Sequence, residues 1–104
     1  MPPQARSPWP FSDPEDTIVF TMVQILDGLE PILLVTHDIE DDAWQFLPGH
    51  DQFTEDDARA VSFAEMLSLD SSIALLADLP IGWSARRKAA YLPWVTKNGV
   101  TTES

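Results

Sequence analysis

Residues 31 to 49 read PILLVTHDIEDDAWQFLPG, and they leave the chain few ways to fold. An apolar, β-prone run at 32–36 leads into an acidic turn. Residues 43–47 then read as a second strand, carrying Trp44 and Phe46. The expectation is a β-hairpin, strand 32–37 and strand 43–47 joined by a turn at 38–42. Four carboxylates in five residues cannot lie inside a core. A turn centred near Glu40 and Asp41 sets His37 opposite Trp44 and Val35 opposite Phe46, aromatic and aliphatic groups on shared faces. Ile32 and Leu34 point one way and Leu33 and Val35 the other, so this strand is apolar on both faces. That pattern predicts a central strand.

The rest of the chain supplies something to pack against the hairpin. Its 104 residues fit a single domain, and 44% of them are hydrophobic, with five Phe and four Trp. A domain of this size buries roughly 60–70% of its unfolded surface. Pro2, Pro3, Pro8, Pro10 and Pro14 make 1–16 an extended arm, because proline lacks the amide that ladders and helices need. Trp9 and Phe11 are the arm's large apolar groups. They either pin it to the domain or belong to a free tail, and the free tail is the expectation.

Residues 17–20 read as a first strand. Thr21 and Gln24 then have capping-box spacing, and Gly28 can close a helix in the left-handed conformation, which predicts a short helix over 22–27. Asp27-Gly28 also suits a type I′ hairpin turn, the competing reading. A polar loop covers 50–57, and 59–61 is a fourth strand. Ser62 and Glu65 form a second capping box, opening a helix at 63–68. Asp70 caps a further helix over 71–77, with Ile73, Leu76 and Ala77 on its inner face. Pro80 ends it. Residues 81–86 alternate Ile81, Trp83 and Ala85 as a last strand, and a tail begins at Thr96. The predicted organisation is therefore an arm at 1–16, one α+β domain at 17–95 and a tail at 96–104. The domain is a small, mainly antiparallel sheet of four or five strands with one or two helices on one face.

Charge narrows the function classes. Seventeen acidic and six basic residues give a net charge of −11, which repels nucleic acid and anionic membrane and attracts basic proteins. No apolar run approaches the ~20 residues of a membrane helix. The N-terminus has no basic cluster followed by an apolar stretch, and the chain has no cysteine. A cytoplasmic protein without disulfide or thiolate metal site is expected.

No catalytic motif is complete. Asp38, Glu40 and Asp42 have the 1, 3, 5 spacing of a calcium loop, but its sixth and twelfth positions are Ala43 and Gly49, so no metal site and no cofactor are expected. His37-Asp38 and His50-Asp51 form two His-Asp pairs of a kind metal-dependent hydrolases use. In the hairpin register His50 falls opposite Pro31, about 20 Å along the strand from His37, too far for one metal. Ser84 sits in Gly82-Trp83-Ser84-Ala85-Arg86, one residue short of a nucleophile elbow. Arg86, Arg87 and Lys88 are the one basic cluster, and Arg86 or Arg87 is expected to pair with the protein's own carboxylates.

Residues 35–49 (V-T-H-D-I-E-D-D-A-W-Q-F-L-P-G), the V-S-F-A-E-M-L-S-L-D helix start and D-L-P-I-G-W-S-A-R together resemble a group of short, uncharacterised bacterial proteins. More distantly, the same core is similar to a family of unknown function proposed to include immunity proteins of bacterial toxin systems. The resemblance implies an α+β fold and no catalytic residues. Two readings follow. One is a non-enzymatic, immunity-like module that offers acidic surface to a basic protein. The other is a small metal-dependent hydrolase using the His-Asp pairs. Under the first, the partner-binding residues are the eight carboxylates between 38 and 57, which have no Lys or Arg among them: Asp38, Glu40, Asp41, Asp42, Asp51, Glu55, Asp56 and Asp57. They are expected together at one end of the domain, away from Arg86 to Lys88.

Overall fold

The computed structural model describes residues 9–40, 42–50, 52 and 54–98. Asp41 and Asp51, two of the expected partner-binding residues, lie outside them. Six strands form one mixed sheet: β1 (Ile18–Met22), β2 (Leu34–His37), β3 (Trp44–Leu47), β4 (Ala58–Ser62), β5 (Trp83–Arg86) and β6 (Val95–Asn98). Their order is β4-β1-β3-β2-β5-β6. Four pairings are antiparallel and β1–β3 is parallel. The helices are α1 (Val23–Leu26) and α2 (Phe63–Leu69), with a 3-10 helix at Ser71–Leu76 and a 3-10 turn at Glu55–Asp57. The fold is α+β with a small, mainly antiparallel sheet.

The hairpin has the register its sequence implies. Val35 pairs with Phe46 and His37 with Trp44. β2 is buried along its whole length and lies between β3 and β5, as its two apolar faces require. Alternation then sorts the sheet into two faces. Val19, Val35, Trp44, Phe46 and Ala85 point inward and join Phe63, Met66, Ile73 and Leu76 from the helices in one core. The helical layer thus covers one face.

Local signals explain most helix boundaries. Ser62 caps α2 by accepting from the Glu65 amide at 3.1 Å. Asp70 accepts from the Ser72 amide at 3.0 Å, and the segment it caps winds as a 3-10 helix. Thr21 departs from its expected role. β1 runs on to Met22 because β4 pairs with it as far as Ala58, so the cap position falls on Met22, with no side-chain cap. Thr21 is buried and its hydroxyl donates to the Phe46 carbonyl at 2.8 Å, tying β1 to β3. Gly28 adopts φ +78 just after α1, so the short helix prevails over the hairpin turn.

Two expectations about the chain's ends are corrected. Trp9 and Phe11 are not in a free tail. Phe11 is buried and packs against Phe63 at 4.2 Å and Trp44 at 5.5 Å between ring centroids. Trp9 meets Phe63 edge-on, and its indole donates to the Asp13 carbonyl at 2.6 Å. The arm thus adds Phe11 to the core and lays Trp9 against it. Residues 96–98, read as tail, pair along β5 as an edge strand and raise the count to six. Ladder hydrogen bonds hold that strand, since all its side chains are exposed.

Candidate functional site

The strand directions give the sheet two ends. At one end lie the close of β2, the opening of β3 and the turn between them. The N-terminal arm and the segment before β5 meet that tip end as well. Glu55, Asp56 and Asp57 precede β4, whose first residue Ala58 pairs with Met22 at the far end. Arg86 also lies at the far end, opposite Leu34, which pairs with Leu47. The described carboxylates of the expected site are therefore split. Asp38, Glu40 and Asp42 share the tip end. Glu55, Asp56 and Asp57 share the opposite end with Arg86. The single acidic end inferred from the chain does not form, because the parallel β1–β3 pairing carries the 50–57 loop away from the tip.

The tip is held by His37. Its Nδ1 donates to the Leu79 carbonyl at 2.9 Å, and its Nε2 meets Asp42 Oδ1 at 2.6 Å. The ring stacks on Trp44 at 4.0 Å with an interplanar angle of 20°. The Leu79 carbonyl can only accept, so Nδ1 carries hydrogen, and one proton lies between Nε2 and the carboxylate. Asp42 sits at φ 58, in the left-handed region that Asp tolerates better than most residues. The Asp38 amide bonds the Ala43 carbonyl at 2.7 Å, and the Gly82 amide bonds the His37 carbonyl at 2.6 Å. The turn is thereby fastened to the start of β5.

Beside it opens a cleft of about 570 Å³, lined by Ser12, Asp13, His37, Asp42, Asp78 and Ile81 among others, with no Lys or Arg among the described residues of its lining. Asp13 Oδ1 accepts from the Trp44 indole at 3.4 Å. Of the described carboxylates in 38–57, only Asp42 lines this cleft. Asp13 and Asp78 were missed because they come from distant segments that no local pattern links.

The described titratable side chains of the cleft are His37 and three carboxylates, Asp13, Asp42 and Asp78. Both His37 nitrogens are engaged, so His37 presents no lone pair to a metal and no free base to Ser12. His50 lies beyond the far end of β3, where its Nε2 meets Glu30 Oε1 at 2.7 Å. The two histidines do not converge. Among the described residues no group of three His, Asp or Glu side chains could hold a metal ion. Ser84 is buried within β5, not raised on an elbow.

The basic cluster is divided too. Arg87 is buried, donating to the Ile32 carbonyl at 3.0 Å, Ser72 Oγ at 2.8 Å, the Ala90 carbonyl at 2.9 Å and Asp70 Oδ2 at 2.6 Å. Its guanidinium lies 4.0 Å over the Trp94 ring. Burial pushes the Asp70 carboxyl up, but hydrogen bonds from Ser72 and Arg87 outweigh it and hold the group below its ordinary 3.8. Asp57 is also lowered, by hydrogen bonds from Gln24 and the Thr54 amide. Among the described residues Arg86 and Lys97 form no ion pair. No described helix is long and apolar enough to cross a membrane. Compared with protein-family models, curated proteins and solved structures, the chain matches none.

Proposed function

We propose that the protein is a non-enzymatic interaction module, immunity-like in kind, that binds a basic protein through its tip end. The observation that carries this reading is the cleft lined by Asp13, Asp42 and Asp78, with no Lys or Arg among its described residues. His37 already holds Asp42, whereas Asp13 and Asp78 face the cleft without a described Lys or Arg, and a cationic side chain entering the cleft relieves the remaining repulsion. An Arg or Lys from the partner seats there, and the exposed Glu40 steers its approach. Charge-assisted bonds to such carboxylates are short and about twice as strong as neutral ones. The His37–Asp42 contact holds the Asp42 side chain in place before binding, which lowers the ordering cost of binding.

The test is titration of a purified basic protein captured from the source organism, followed by surface plasmon resonance. Glu40→Gln, Asp42→Asn and Asp78→Asn together should slow association and flatten its dependence on salt. Glu55→Gln with Asp56→Asn, at the other end, should change neither. Binding that is insensitive to salt and to the tip variants rejects the reading.

A further inference from the structure

The segment after the 3-10 helix borders two hollows. Asp78, Leu79 and Pro80 line the tip cleft, and the same three residues line an apolar groove of about 220 Å³. They stand between the two as a ridge. The groove's remaining walls are Leu75 and Leu76 from the 3-10 helix, Trp83 from β5 and Thr96 from β6. The winding of the helix accounts for the arrangement. A 3-10 helix has three residues per turn, so residues three apart share a side. Ile73, Leu76 and Leu79 fall in one row, and all are buried. Leu75 and Asp78 fall in the next row, and both are exposed. The three-residue pattern outlasts the helix, since the Ala77 amide donates to the Ala74 carbonyl at 3.2 Å and the Leu79 amide to the Leu76 carbonyl at 2.9 Å. Leu75 therefore stays outside the core, 78% exposed, as a wall of the groove. Bonds from both sides hold the ridge. The Leu79 carbonyl accepts from His37 at 2.9 Å, and the Pro80 carbonyl accepts from the Trp83 amide at 3.1 Å.

Size and charge together define the occupant. Small-molecule sites usually measure ~300–1,000 Å³. A groove of about 220 Å³ suits one side chain of a larger partner. Its described lining is apolar except for Asp78 and Thr96 and includes no Lys or Arg, and its one carboxylate also belongs to the cleft. We propose that cleft and groove form one docking surface for a single segment of a protein partner, in which an Arg or Lys stands close in sequence to a leucine-sized apolar residue. The basic side chain enters the cleft toward Asp13 and Asp78. The apolar side chain crosses the ridge and packs against Leu75 and Trp83. In an extended segment, residues two apart share a face at ~7 Å, a span suited to a ridge one chain thick. This inference rests on the tip reading and adds to it the character of the partner's sequence. Exposed ion pairs contribute little affinity and are screened by salt. An apolar anchor removes area from water, which salt does not screen.

Titration of the isotope-labelled full chain with two synthetic peptides, followed by NMR, tests it. The first peptide carries an arginine and a leucine separated by one glycine, within a glycine–serine sequence. The second has alanine in place of the leucine. The first should shift the amides of Asp13 and Asp42 at the cleft and those of Leu75, Trp83 and Thr96 at the groove. The second should shift the cleft set alone. Leu75→Ser, at an exposed position, should weaken the first peptide roughly threefold or more and leave the second unchanged. Asp78→Asn should weaken both. A first peptide that moves only the cleft amides, or that binds Leu75→Ser as tightly as the wild type, overturns this inference and leaves the tip reading standing. No shift with either peptide overturns both. Groove amides that move with protein concentration alone would make a second copy the occupant. Contacts in the free protein between Trp83 and residues 99–104 would make it the chain's own end. Either result overturns the proposal.

Discussion

Arg87 is the residue on which distant segments most depend. It closes the end of β5 onto the 3-10 helix and the chain before β6, and its side chain is almost fully enclosed. Arg87→Ala would strand Asp70 in a half-buried site and should cost about 3 kcal/mol, read as a drop in urea midpoint. Arg87→Lys should lose most of the same, because an ammonium cannot reproduce the guanidinium's planar fork. Asp70 makes the matching prediction for pH. Its folded carboxyl is held below the ordinary value, so it contributes stability above the unfolded value of about 3.9. That contribution is lost as pH falls through the folded value. Asp57 has the same sign. Stability of the wild type should decline below about pH 4, and Asp70→Asn should decline less over the same range. An identical acid profile in the variant would show that the Arg87 pair contributes nothing net.

Among the elements, the β2–β3 hairpin carries the core. Phe46 is fully buried, 6.2 Å from Trp44 and 5.8 Å from Phe63 between ring centroids. Phe46→Ala should cost about 3–5 kcal/mol by chemical denaturation, and a loss under half that would mean the site collapses around the gap. The arm is the second element with a measurable share. Phe11→Ala removes a ring packed between Phe63 and Trp44 and should destabilise by about 3 kcal/mol. A free tail would give no change.

At the scale of the molecule, charge is distributed by topology. Strand order sends Asp38, Glu40 and Asp42 to one end and Glu55, Asp56 and Asp57 to the other. Each end can then act alone. If the tip binds a basic partner, high salt should weaken the complex, and Glu40→Gln with Asp78→Asn should weaken it at any salt, read by surface plasmon resonance.

Local chemistry made much of this legible in the chain. Period-two apolar runs and an acidic break specify a hairpin and its register, because a slip of one residue would expose Val35 and Phe46. Ser62 and Asp70 mark helix starts, because a short oxygen side chain satisfies amides only at that position. Other features depend on partners far away in sequence. Thr21 reads as a cap until β4 pairs alongside it and β1 extends. Residues 95–98 have no apolar alternation, and a strand forms there only because β5 offers an open edge. Trp9 and Phe11 enter the core only once Phe63 and Trp44 stand side by side. The cleft joins Asp13, Asp42 and Asp78 across the chain, and no spacing rule encodes that meeting. It follows from the β1–β3 and β2–β5 pairings, long-range contacts whose free energy is shared across the whole core.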